Sequence, residues 1–221
     1  MALHKSSVDY SLYLVTDRDL MRAPDLPTAV EQAIQGGCTL VQLREKDAGS
    51  RQFYDIALSV KAVCDRHNVP LIVNDRIDIA LAVDALGVHI GQSDIPAKIA
   101  RKLIGPDKLL GVSATTPDEA MQAQRDGADY LGIGAMFSTD TKLDARLVSM
   151  DTLRQIRQSI DLPIVVIGGI GKHNAAHFAG AGIDGLAVVS AIIAQQDIAA
   201  AAAEMKMLFA EGNHEVRRRA D

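Results

Sequence analysis

Gln42, Arg44 and Lys46 stand at alternate positions of Val41-Gln42-Leu43-Arg44-Glu45-Lys46, where an apolar run turns abruptly polar. Leu40, Val41 and Leu43 read as a short buried strand. A period of two sends the three long polar side chains to one side as that strand leaves the core. An amide and two cations at such an exit cost desolvation unless an anion meets them. A solvated strand end paired with Glu45 or Asp47 would explain this segment on its own. The same grammar recurs, however. Val73 runs into Asn74-Asp75-Arg76, His89-Ile90 into Gly91-Gln92-Ser93-Asp94, and residues 109–112 into Ser113. Further on come Phe137-Ser138-Thr139-Asp140-Thr141-Lys142, Gly168-Gly169-Ile170-Gly171 and Val189-Ser190.

Three chemistries separate among these clusters. Asp75 and Asp94 are carboxylates on successive loops, each near an amide (Asn74, Gln92), which suits Mg²⁺ that keeps waters and takes phosphate oxygens. The alternative is a pair of helix N-caps, Asp75 before a helix at 77–83 and Asp94 before Pro96. The cations nearby favour the metal. Arg44, Lys46 and Lys142 suit a pyrophosphate, with Ser113, Thr139 and Thr141 donating hydroxyl hydrogen bonds. Gly168-Gly169 and Val189-Ser190 suit a phosphate held by backbone amides at a short helix start. Two anion sites imply two phosphorylated substrates. His89 reads as a hydrogen-bonded structural histidine, and no role is assigned to His173 or His177. There is no Ser-His-Asp arrangement, dinucleotide fingerprint or convincing Schiff-base lysine.

The elements that must position these groups alternate along the chain. Strand candidates lie at 12–15, 40–43, 71–73, 87–90, 109–112, 130–133, 164–167 and 186–189, with amphipathic stretches such as 53–66, 118–125 and 152–159 between them. Helices are expected to end at Gly37, Gly127 and Gly182, where glycine suits a left-handed cap. Eight such units predict an α/β fold, a single (β/α)8 TIM barrel, with functional groups at the strand exits. A doubly wound open sheet is the alternative. The expectation is one domain over 1–221, with a short extension over about 1–9 and a disordered tail from about 212. Arg217-Arg218-Arg219 falls in that tail.

The composition agrees. Hydrophobic residues make up 48% with no tryptophan, so the core is aliphatic, as buried parallel strands require. A net charge of −5 argues against nucleic-acid binding. Cys38 and Cys64 lack metal-ligand spacing and read as buried thiols. No signal peptide or membrane-spanning run is evident, so a soluble, cytoplasmic protein without membrane contact is expected. The alanine-rich segment 198–209 reads as the last barrel helix and is also able to carry a homo-oligomer contact.

In order and spacing, Val41-Gln42-Leu43-Arg44-Glu45-Lys46, Leu71-Ile72-Val73-Asn74-Asp75-Arg76, His89-Ile90-Gly91-Gln92-Ser93-Asp94 and Thr139-Asp140-Thr141-Lys142 resemble the thiamine phosphate synthase family. The resemblance runs from Tyr13 to Ser190. It implies a transferase joining hydroxymethylpyrimidine pyrophosphate to hydroxyethylthiazole phosphate, with release of pyrophosphate. Asp75 and Asp94 would hold Mg²⁺. Arg44, Lys46, Asn74 and Lys142 would bind the pyrophosphate, with Ser113 donating to it, and Lys46, Ser113 and Lys142 would be the catalytic groups. Gln42 would fix the aminopyrimidine, Thr139 and Thr141 would shape a closing loop, and Gly169, Val189 and Ser190 would bind the thiazole phosphate. The implied mechanism is dissociative, through a stabilised pyrimidinylmethyl cation, and needs no strong base. Ala135 and Ser138 stand where the family commonly has proline, so a less preorganised sixth loop is expected. The rivals are a thiazole tautomerase, which has no use for a pyrophosphate and metal site, and a catalytically silent thiamine phosphate binder.

Overall fold

The computed structural model describes residues 4–139 and 146–220, with the backbone alone for 213–220. Eight parallel strands close into a barrel in chain order. They are β1 (Leu12–Val15), β2 (Leu40–Leu43), β3 (Leu71–Asn74), β4 (Gly87–Ile90), β5 (Leu109–Ala114), β6 (Tyr130–Ile133), β7 (Ile164–Val166) and β8 (Gly185–Val188). The helices are α1 (Leu26–Gln35), α2 (Ser50–Arg66), α3 (Ile77–Ala82), α4 (Ala97–Ile104), α5 (Pro117–Arg125), α6 (Met150–Ser159), α7 (Ser190–Ile193) and α8 (Ile198–Ala220). The architecture is the (β/α)8 barrel read from the alternation of elements.

Each strand is a short, continuous aliphatic run because both of its faces are covered. One face packs outward on helical stripes. α1 presents Leu26, Ala29, Val30 and Ala33, and α2 presents Phe53, Ala57, Val60 and Cys64. Both series follow the helical period. The other face fills the barrel with Tyr13, Val15, Leu40, Ile72, Leu109, Tyr130, Val165 and Ala187. Asp25, Thr116 and Ser149 start α1, α5 and α6 by accepting from the backbone N–H of Thr28, Glu119 and Thr152. Cys38 and Cys64 are buried free thiols, and burial pushes each up to about 12. Among the described residues, no helix is long and apolar enough to cross a membrane.

The structure corrects several boundaries. Gly37 and Gly127 do follow α1 and α5 with φ of +104° and +90°. Gly182 follows no α-helix, because the seventh unit carries only a 3-10 turn at Ala175–Phe178. Asn174 and the closely spaced Gly180 and Gly182 leave too few residues there for an amphipathic helix. β5 runs two residues beyond the expected end, which brings Ser113 into the strand. β8 closes at Val188, so Val189 begins the loop. The backbone of α8 runs to Ala220. Arg217, Arg218, Arg219 and Ala220 favour helix at its end.

Candidate active site

The carboxylates come first, because their backbone is unusual. Asp75 follows β3 with φ +62°, and its N–H donates to the carbonyl of His89 on β4 at 2.8 Å. Aspartate is among the few residues that tolerate this left-handed conformation. The turn sets its carboxyl beside that of Asp94. Burial, then Asp94, pushes Asp75 up to about 6, while Arg44 and an Asn74 hydrogen bond act in the opposite sense. Asp94 Oδ2 accepts from the N–H of Gly91 at 2.7 Å and closes the loop after β4.

Neither carboxylate caps a helix. Arg76 precedes α3 and Pro96 precedes α4, and neither start has a side-chain cap. The capping alternative therefore fails for both residues. Two facing carboxylates fit a hard cation that completes its shell with water and ligand oxygens. Among the described residues there is no group of three His, Cys, Asp or Glu, so a closed protein cage of the zinc type is not formed.

The loop after β2 is pinned on both sides. The N–H of Arg44 donates to Thr16 Oγ1 at 3.0 Å, and Thr16 is fully buried. Glu45 takes Arg18 at 3.0 and 3.2 Å through Nε and at 2.8 Å through Nη2. Its side chain is 3% exposed. Glu45 is thus engaged by Arg18 and does not neutralise the strand end as the solvated reading supposed. The Arg44 guanidinium lies 4.0 Å from Asp17 and within the field of Asp75.

A cavity of about 750 Å³ gathers Lys46, Thr139, Gly169 and Ser190, four residues expected at anion sites, with Ser138 and Lys172. Gly169 has φ +62°, and a Cβ there would sit 2.6 Å from the carbonyl oxygen of Ser138. Only glycine lets the two loops approach so closely. Val189 precedes α7, and Ser190 is that helix's first residue. A larger open cleft of about 990 Å³, lined by Arg18, Pro24, Pro27, Ser50 and Asp55 among others, holds none of the expected residues.

Asn174 is a residue the sequence reading missed. It is 4% exposed. Its Nδ2 donates to the carbonyl of Gly169 at 2.9 Å, and its Oδ1 accepts from the N–H of Gly171 at 2.9 Å. One amide therefore fixes the glycine loop at two points. An asparagine three residues after Gly171 was the available signal. Asn174→Ala should cost about 1–3 kcal/mol of stability through the orphaned buried groups, measured by urea unfolding.

Gln42 and Ser113 lie deeper, on the inner faces of β2 and β5. Gln42 Nε2 donates to Tyr13 Oη at 2.8 Å. Ser113 Oγ is 2.9 Å from His89 Nε2. Asn74 ends β3 beside Asp75. Thr141 and Lys142 lie outside the described residues. The expected residues thus form two groups at the C-terminal mouth of the barrel: Arg44, Asn74, Asp75 and Asp94 in one, Gly169 and Ser190 in the other. Lys46 and Thr139, expected at the pyrophosphate, line the cavity of the second group and face both anions from there. Gln42 and Ser113 lie inside the barrel below them.

A family model described as thiamine monophosphate synthase matches residues 12–192. The thiamine-phosphate synthase of Clostridium beijerinckii is 62% identical over 205 residues, covering 93% of this chain and 98% of that protein. The thiamine-phosphate synthase of Chloroflexus aurantiacus is 54% identical over 202 residues, covering 91% and 93%. The solved thiamine phosphate pyrophosphorylase from Pyrococcus furiosus superposes with a TM-score of 0.86 at 37% identity, covering 93% of this chain and 98% of that one.

Proposed function

Because the chain belongs to the thiamine monophosphate synthase family, and is a transferase of thiamine biosynthesis, we propose that it moves the aminopyrimidinylmethyl group of hydroxymethylpyrimidine pyrophosphate onto the nitrogen of hydroxyethylthiazole phosphate. The observation that carries this reading is the facing Asp75–Asp94 pair, neither member capping a helix, at the same mouth as the Gly169 and Ser190 cavity. A thiazole tautomerase needs only the second of these sites.

Each group then has a task. Arg44, Asn74, Lys46 and Lys142 bind pyrophosphate oxygens, and Ser113 donates to them. Asp75 and Asp94 hold Mg²⁺, which when bound supplies positive charge against the leaving pyrophosphate. Gln42 reads the aminopyrimidine with its two-sided amide. Gly169, Val189 and Ser190 seat the thiazole phosphate so that its nitrogen faces the departing bond, and Thr139 and Thr141 shape the loop above. The bond breaks ahead of attack, because the amino group of the pyrimidine stabilises the cation left behind. The protein's work is to stabilise the leaving group and align the acceptor, which matches a site without a strong base.

The test is product formation. The folded protein, given both substrates with Mg²⁺, should release thiamine phosphate and pyrophosphate in equal amounts, and chelation should stop both. A folded protein that binds either substrate but forms no product would contradict the reading. The metal half has its own pH signature. Asp75 is raised, so it holds its proton up to about pH 6 and must lose it to hold a cation. The gain in melting temperature on adding Mg²⁺ should therefore persist from pH 8 to 7 and shrink as pH falls through about 6. A gain that is flat down to pH 5 would count against Asp75 as a ligand.

A further inference from the structure

Gln42 and Ser113 sit on strands three apart, yet an unbroken file of side chains joins them through the barrel. Gln42 Nε2 meets Tyr13 Oη at 2.8 Å, Tyr13 Oη meets Tyr130 Oη at 2.8 Å, and Tyr130 Oη meets His89 Nδ1 at 3.0 Å. His89 Nε2 then meets Ser113 Oγ at 2.9 Å. Tyr13 and Tyr130 are 1% and 0% exposed and His89 is 8% exposed.

With the Gln42 amide turned so that Nε2 faces Tyr13, hydrogen-bond accounting gives this file one direction. Tyr13 accepts from the Gln42 amide, so its single proton must go to Tyr130, the other partner of its hydroxyl. Were Tyr130 to donate to Tyr13 instead, the proton of Tyr13 would be buried without an acceptor. Tyr130 therefore gives its own proton to His89 Nδ1. A neutral His89 then carries hydrogen on Nε2 and donates to Ser113 Oγ. Burial keeps both phenols protonated, well above their ordinary range. With its oxygen already accepting from His89, Ser113 is left to aim its own hydrogen away from the imidazole.

The barrel also makes room for this file. A Cβ on Gly111 would lie 2.2 Å from Tyr130 Cζ and 2.5 Å from His89 Nδ1. A Cβ on Gly132 would lie 3.0 Å from His89 Cε1. The register sets His89 beside Gly111 and Ser113 beside Gly132. Both glycines clear interior volume that the tyrosine–histidine pair occupies.

We propose that Tyr13, Tyr130 and His89 are positioning residues: a one-way relay that locks the Gln42 amide and turns the Ser113 hydroxyl hydrogen toward the pyrophosphate. The role rests on the transferase reading above, while the direction of the relay does not. It makes the Ser113 donor dependent on tyrosines buried inside the barrel. A histidine present only for packing would create no such dependence.

Two measurements test it. Nitrogen-15 NMR of the ligand-free protein, with the His89 signals assigned through His89→Asn, should show hydrogen on Nε2 and none on Nδ1 at neutral pH. Ser113→Ala and Tyr130→Phe should each lower kcat about tenfold and leave KM for thiazole phosphate within about twofold. In the double variant, Tyr130→Phe should add less than about twofold to Ser113→Ala, since both remove the same donor. Tyr13→Phe leaves Tyr130 donating to His89 and should keep hydrogen on Nε2, so the tautomer still decides the proposal if Tyr130→Phe does not fold. Hydrogen on Nδ1, or effects that multiply in the double variant, would overturn the relay. If the wild-type protein formed no product, the transferase reading would fall, and the tautomer would still decide whether the relay exists.

Discussion

Asp94→Ala is expected to lower Mg²⁺-dependent formation of thiamine phosphate by about a thousandfold while thiazole phosphate binds as before. Removing one of two protein carboxylates leaves Asp75 to hold the cation alone, and losses of preorganised charge at a reacting centre are of about this size. Asp94 has a second task, since its Oδ2 accepts from the Gly91 N–H at 2.7 Å and shapes the loop. Asp94→Asn separates the two, because an amide oxygen can still accept from Gly91 but carries no charge. Steady-state kinetics should find Asp94→Asn nearly as impaired as Asp94→Ala. Near wild-type activity in Asp94→Asn would reduce Asp94 to a loop fastener and remove the metal assignment. Thiazole phosphate binding, followed by calorimetry, should survive in both because its cavity does not include Asp94.

Arg44→Ala should lower kcat/KM for the pyrimidine pyrophosphate by about a hundredfold, the upper range for one charge-assisted pair. Its surroundings explain why the effect should be that large. The backbone of Arg44 is tied to buried Thr16, the neighbouring Glu45 is tied to Arg18, and the guanidinium lies 4.0 Å from Asp17, so the segment that carries it is fixed before substrate arrives. Arg44 also opposes the upward push on Asp75. Its removal should therefore raise KM and move upward the pH below which Mg²⁺ ceases to stabilise the protein. Arg44→Lys restores the charge but not the planar fork and should recover only part of the loss. A variant with unchanged KM would take Arg44 out of the pyrophosphate site.

The barrel was legible because its strands are continuous aliphatic runs and its polar clusters sit at their ends. Leu40–Leu43 with Arg44 and Lys46, and Leu71–Asn74 with Asp75, carry that signal within a few residues of chain. The pairing of Asp75 with Asp94 was legible as spacing on successive loops. The failure of both as helix caps was not, since capping depends on where α3 and α4 begin. Asn174 escaped notice because its partners, Gly169 and Gly171, become neighbours only when the loop folds back. The relay escaped for a stronger reason. Tyr13 and Tyr130 lie in apolar runs and read as core, and their hydroxyls meet only across a closed barrel, from β1 to β6. No periodicity along one strand encodes a contact of that kind.

The most direct measurement is a crystal structure of the protein with Mg²⁺, pyrophosphate and thiamine phosphate. Pyrophosphate should lie against Arg44 and Asn74, with one metal ion between it and the carboxylates of Asp75 and Asp94. The phosphate of thiamine phosphate should rest on Gly169 and Ser190, with its pyrimidine against Gln42. A metal held elsewhere, or both anions in the Gly169 cavity with the Asp75–Asp94 pair untouched, would contradict the two-site account.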